Sequence, residues 1–148
     1  MDHLDLSEQE IVRRESLKEL KQLGIEPFPA EEFPVTHYSQ DIRKGFEENP
    51  DDFQEVSLAG RIMGRRIMGN ASFAELKDKE GRIQIYVKRD DLCPGEDNTY
   101  YNTVFKKLLD IGDIIGVKGS IFKTKVGEIS INVEEFMVLS KSLKPLPI

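Results

Sequence analysis

The chain has 148 residues and a formal net charge of −6, with 27 acidic against 21 basic side chains. That length suits one domain with a sizeable core and a smaller attachment, and the acidic balance argues against general binding to duplex DNA or an anionic membrane, so any nucleic-acid site must be local. An apolar run long enough to span a bilayer and a basic leader are both missing, Cys93 is the single cysteine, and His3 and His37 lack ligand spacing; these point to a cytoplasmic protein with no membrane partner, no internal disulfide and no metal site.

Ser7 and Glu10 have capping-box spacing, and no Gly or Pro follows before Gly24. This predicts a helix over 7–23 that Gly24 stops. Leu17, Leu20 and Leu23, with Ile11 or Val12, form its apolar stripe. Arg14, Lys18 and Lys21 form a basic row, either a solvated face or a contact to a nucleic-acid backbone. Pro27, Pro29 and Pro34 make 24–36 an extended strap. Ser39 is then expected to cap a short helix carrying Ile42 and Phe46, with the first strand beginning at about Phe53.

The stretch 56–89 reads as three strands. Ile83, Ile85 and Val87 alternate with Arg82, Gln84 and Tyr86, and Ser72, Ala74 and Leu76 alternate with Ala71, Phe73 and Glu75. Across the turn 77–81, pairing Leu76 with Gly81 sets Phe73 opposite Gln84 and Glu75 opposite Arg82, with the isoleucines on the other face. Phe73 is then an exposed ring beside an amide, a stacking platform for an unpaired base next to a group that can both donate to and accept from a base edge. A slip of one residue would swap the faces and put Phe73 in the core. The same stretch holds eight cations against three carboxylates, a local excess of five in an acidic chain, which favours a phosphate-facing patch over a merely solvated strand.

Asp90 to Asn98 reads as a loop, and 99–110 as an amphipathic helix with Tyr101, Val104, Phe105, Leu108 and Leu109 inward, closed by Gly112. Ile115, Val117 and Ile121 mark a fourth strand. After a turn at Lys125-Val126-Gly127, Ile129, Ile131 and Val133 mark a fifth, alternating with Glu128, Ser130 and Asn132. Five strands with one helix between the third and fourth, preceded by a helical extension, is the order of an OB-fold, a Greek-key barrel. The expected division is a helix and strap at 1–52, the barrel at 53–142, and at 143–148, Leu143-Lys144-Pro145-Leu146-Pro147-Ile148, the start of a linker.

Several segments together resemble the anticodon-binding domain of class II lysyl-tRNA synthetase: Gly60-Arg61, Arg65-Arg66-Ile67-Met68-Gly69-Asn70-Ala71-Ser72-Phe73, Gly81-Arg82-Ile83-Gln84-Ile85-Tyr86-Val87, Phe122-Lys123-Thr124-Lys125 and Gly127-Glu128-Ile129-Ser130. Arg13-Arg14-Glu15-Ser16-Leu17, Gly24 to Pro29 and Lys144-Pro145-Leu146-Pro147 extend the resemblance to nearly the whole chain. The resemblance implies recognition of the middle anticodon base of lysine tRNA, a uridine. Phe73 would be the stacking ring, Arg66 and Gln84 hydrogen-bonding side chains, and Glu128 the acceptor from uracil N3–H. Arg65 and Asn70 would be further nucleic-acid contacts, although the family commonly has Lys where Asn70 stands. It also implies that the class II active site, with ATP and magnesium, lies beyond Ile148, so that this chain holds no cofactor and cannot aminoacylate alone. The whole enzyme would be a homodimer. No catalytic constellation or glycine-rich phosphate loop stands in these residues to contradict that. The competing readings are the aspartyl- or asparaginyl-tRNA synthetase counterpart, a stand-alone OB-fold binder of single strands, and a structural dimerisation module.

Overall fold

The computed structural model describes residues 2–142 apart from Glu26, Pro94 and Glu96. The linker expected over 143–148 lies outside the described residues.

Five strands form because apolar side chains recur at every second position, so each strand can bury one face. They are β1 (Val56–Met68), β2 (Ala71–Lys77), β3 (Arg82–Lys88), β4 (Ile114–Lys123) and β5 (Ile129–Ser140). They close into a barrel in the order β1-β2-β3-β5-β4. β3 and β5 run parallel, while the other neighbouring pairs, including the closing pair β1 and β4, are antiparallel. This is the expected five-stranded OB-fold arrangement, and closure removes the sheet edges. Leu58, Ile62, Leu76, Ile83, Ile85, Ile115, Val117, Ile131 and Val133 fill the interior. The first strand starts at Val56, not Phe53, because Pro50–Phe53 forms a tight helical turn that tucks the Phe53 ring into the core.

The hairpin register differs from the expected one by two residues. Phe73 pairs with Tyr86, Glu75 with Gln84 and Lys77 with Arg82. The cause is Asp78. Its backbone N–H donates to the Gly81 carbonyl at 2.9 Å, and its Oδ1 accepts from the N–H groups of Glu80 at 2.9 Å and Gly81 at 3.0 Å. This side-chain-capped turn spans 78–81 and carries the ladder out to Lys77. A shift of two preserves side-chain parity, so Phe73 and Gln84 keep the outer face although they are not directly opposed.

Helix α1 (Asp2–Gln22) starts well before Ser7, since the residues ahead of Ser7 hold no Gly or Pro either; Ser7 is therefore inside the helix and not its cap. Gly24, at φ 80°, stops it. Its inward stripe is narrower than expected. Arg13, Ser16, Leu17 and Leu20 turn toward the barrel, but Ile11, Val12 and Leu23 are exposed. From Pro27 to Thr36 the strap holds one helical turn, at Ala30–Glu32, and Phe33 packs over Gly116 with no room there for a Cβ. In α2 (Ser39–Gly45) the cap is Tyr38, whose N–H bonds to the Asp41 carboxylate at 3.0 Å; Ser39 is already helical and bonds elsewhere.

The 90–98 loop begins with one helical turn, α3 (Arg89–Leu92), and Cys93 just after it is buried. The Tyr100–Leu108 helix buries the five expected side chains. It is wider than an α-helix, with the Leu109 N–H bonded to the carbonyl five residues back, Val104, at 3.2 Å. No helix among the described residues is long and apolar enough to cross a membrane.

Candidate nucleic-acid interface

A bulge in β1 sets up the outer face. Ile62 pairs with Leu76 and the next pairing is Gly64 with Glu75, so one extra residue enters β1 and the parity beyond it flips. Arg66 therefore stands opposite Phe73 on the outside, and Arg65 opposite the buried Ala74. Two adjacent arginines thus acquire different surroundings. Arg65 Nη1 donates to the carbonyls of Phe105 at 2.9 Å and Leu109 at 2.8 Å, capping the end of the Tyr100–Leu108 helix. Burial lowers its pKa, and the Asp110 and Asp113 charges act the other way. Arg65, expected to contact nucleic acid, thus has its Nη1 held at the helix end while it also lines the groove described next.

A groove of about 630 Å³ gathers Arg66, Phe73, Gln84 and Glu128, with Arg65, Glu75 and Arg43 on its walls and Thr124 and Val126 of the β4–β5 turn at its rim. Phe73 is half-buried, its ring edge-on to Tyr86 at 4.7 Å between centroids, and Tyr86 stands 5.9 Å from Phe122. Gln84 Nε2 donates to Ser130 Oγ at 3.0 Å across the parallel β3–β5 pair, which fixes the amide against the sheet.

Glu128 is positioned by the turn before β5. Its N–H donates to Thr124 Oγ1 at 3.0 Å, and its carbonyl accepts from the Thr124 N–H at 2.9 Å. Gly127, at φ 89°, takes the left-handed position the turn needs. The Glu128 carboxylate receives Arg43 Nη2 at 3.3 Å.

Asn70 does not join this group. It sits in the β1–β2 turn and lines a separate recess with Met68, Lys88 and Asp91. Three strand positions separate it from Phe73, about 10 Å at the rise of an extended chain. Sequence reasoning missed Arg43 and Phe122. Arg43 comes from a helix outside the barrel and carried no periodic signal; Phe122 could have been found from the β4 alternation that puts Ile121 inside. A further recess of about 390 Å³ lies between the strap and β1, β4 and β5. Among the described residues it is lined by Glu55, Glu134 and Glu135 against the single cation Lys118, the wrong sign for phosphate. No three His, Cys, Asp or Glu side chains among the described residues converge in a way that could hold a metal.

Comparison with known proteins adds a family. The tRNA anti-codon model, described as an OB-fold nucleic acid binding domain, matches residues 56–139. A lysine–tRNA ligase of Porphyromonas gingivalis is 59% identical over 150 residues, covering 100% of this chain and 26% of the relative. One from Azobacteroides pseudotrichonymphae is 60% identical over 97% of this chain and 28% of its own length, and one from Thermoanaerobacter is 50% identical over 97% and 27%. The chain spans about a quarter of the length of these curated relatives.

Proposed function

The chain belongs to the tRNA anti-codon family of OB-fold nucleic acid binding domains, and from that premise we propose that it reads the anticodon of lysine tRNA, with the groove around Phe73 taking the middle uridine. The observation that carries this reading is the convergence of Phe73, Gln84, Arg66 and the Glu128 carboxylate on one outer face. The chemistry is specific. The Phe73 ring offers a π-face to an unstacked base, Gln84 meets the base edge, and Arg66 supplies an exposed guanidinium for a base oxygen or phosphate. Glu128 accepts from uracil N3–H. Cytosine presents a lone pair at N3, which a carboxylate repels, so one side chain both attracts the correct base and rejects its isostere. The similarity to lysine–tRNA ligases supports the choice of tRNA. On this reading the ligase chemistry, its ATP and magnesium, and the dimer belong to the parts of the relatives that this chain does not span.

Titration of anticodon stem-loops carrying uridine or cytidine at the middle position tests the reading. The uridine loop is expected to bind at least tenfold more tightly, the scale of one good hydrogen-bonded discrimination of about 1–3 kcal/mol. Equal affinity for the two loops would overturn it. Glu128→Gln is expected to erode this preference more than it weakens binding to the uridine loop, because glutamine keeps the shape but adds donors and loses the charge. An equal loss for both loops would remove Glu128 from the readers.

Binding is also expected to weaken as salt rises from 50 to 200 mM. The few exposed cations of the groove face release a few counterions on an otherwise acidic protein, so the slope should correspond to about two or three phosphates and not the 6–10 of a general nucleic-acid binder. A salt-independent binding constant would contradict the local-patch argument.

A further inference from the structure

Arg43 is the one residue of α2 that lines the groove, and it is held at two points. Nε donates to the Arg82 carbonyl at 2.8 Å on β3, and Nη2 reaches Glu128 Oε1 at 3.3 Å at the start of β5. A guanidinium with fixed fork geometry can span such a pair of acceptors where a lysine ammonium reaches one. The first anchor belongs to the backbone, so the second is aimed. Among the described residues this is the contact made by the Glu128 carboxylate; with Oε1 taken by Arg43, Oε2 is the acceptor left for a ligand.

The helix that carries Arg43 is itself latched. The Ser39 N–H and Oγ–H donate to Asp78 Oδ2 and Oδ1, each at 2.7 Å, and Asp78 is also the residue that caps the β2–β3 turn. A Cβ on Gly81 would lie 2.6 Å from Gln40 Nε2, so α2 sits tightly on that turn, and Ile42 is fully buried beneath it. The turn that sets the hairpin register thus also sets where Arg43 stands.

We propose that Arg43 is a positioning residue for base selection: anchored on the Arg82 carbonyl, it orients the Glu128 carboxylate toward a base N–H. This rests on the reading of the groove given above and deepens it. As a stabilising contact alone the pair would contribute little, since both side chains are about 40% exposed and water screens an ion pair of that kind. Its effect belongs in discrimination.

The test measures dissociation constants of the full 148-residue chain for stem-loops with uridine or cytidine at the middle position, in wild type, Arg43→Gln, Arg43→Lys, Glu128→Gln and the Arg43→Gln/Glu128→Gln double variant, alongside thermal melting. Arg43→Gln is expected to cut the uridine-over-cytidine preference about three- to tenfold with an unchanged melting temperature. Arg43→Lys should recover part of it. In the Glu128→Gln background Arg43→Gln should have no further effect on the preference, because its action runs through that carboxylate. The inference is overturned if Arg43→Gln weakens both loops equally while Glu128→Gln still alters preference, or if the two losses of preference add. A wild type without preference would sink the reading of the groove itself and the inference with it.

Discussion

Replacing Phe105 with alanine is expected to cost about 3–5 kcal/mol of stability, while the same change at Phe73 should leave the protein folded and act on binding. Phe105 is fully buried, stacked on Tyr101 at 5.9 Å between ring centroids and edge-on to Phe136 at 5.6 Å. Those rings belong to the barrel wall and to the Tyr100–Leu108 helix that packs on it, and neither can move in to fill the space a missing ring would leave. The transfer and cavity losses therefore combine. Phe73 is half-buried on the outside, and its ring contact within the protein is the edge-to-face pair with Tyr86. Losing that pair costs on the order of 0.5–1.5 kcal/mol. In the complex the same truncation removes a base platform worth about 1–3 kcal/mol, which weakens binding by roughly ten- to a hundredfold. Thermal melting and stem-loop titration of both variants separate the two effects. If Phe73→Ala melts as early as Phe105→Ala, the ring is structural and the binding face is misassigned.

Which face Phe73 occupies was legible in the sequence because alternation reports parity, and parity survives a register error of two. The register itself was not legible. It depends on the Asp78 carboxylate capping the turn and on Ser39 closing over it from another part of the chain. The difference between Arg65 and Arg66 was hidden for a related reason. The two arginines stand side by side between Gly64 and Ile67, and the extra residue between Ile62 and Gly64 decides that the Arg65 guanidinium reaches the helix end while Arg66 stands opposite Phe73 on the outer face. The inward face of the Tyr100–Leu108 helix was readable although its hydrogen bonding is wider than an α-helix, since the five buried side chains still fall on one side. α1 was readable as a helix but not in its stripe. Exposed Ile11, Val12 and Leu23 look apolar enough to turn inward, yet it is Arg13, through Nη1 bonds to the carbonyls of Ile111 at 3.1 Å and Ser142 at 3.2 Å, that faces the barrel. Charged residues that tie distant segments together carry no periodic signature, and the groove's Arg43 is the functional instance of the same blindness.

The largest such surprise is Lys141, and its replacement by methionine is expected to cost about 3–5 kcal/mol, the loss typical of leaving a buried charge without its partner. Flanked by two serines at the end of β5, it reads as a solvated lysine. Its side chain is instead 1% exposed, with Nζ bonded to Asp113 Oδ2 at 2.9 Å and also to Asp110. Asp113 is completely buried. Its Oδ2 also accepts the Asp110 N–H at 2.8 Å, and its Oδ1 accepts the Ser142 N–H at 2.7 Å, so the cluster joins the segment after the Tyr100–Leu108 helix to the segment leaving the barrel. Methionine keeps the apolar stem and removes only the ammonium. The Asp113 carboxylate then retains two N–H donors and the nearby Arg65 charge but loses its direct cation, and a buried carboxylate without one costs free energy. Asp113→Asn in the same protein should recover part of the loss, because a neutral amide no longer needs a counter-ion, while its NH2 faces one of the two backbone N–H groups that the carboxylate accepted and so keeps the recovery incomplete. Asp113→Asn alone should cost less than Lys141→Met, since Lys141 would still have Asp110, which is 27% exposed and keeps access to water. In denaturant titrations the expected order of stability is wild type, then Asp113→Asn, then the double variant, with Lys141→Met lowest. A Lys141→Met single variant as stable as wild type would mean that the ammonium is only a passenger and that the backbone donors alone hold Asp113.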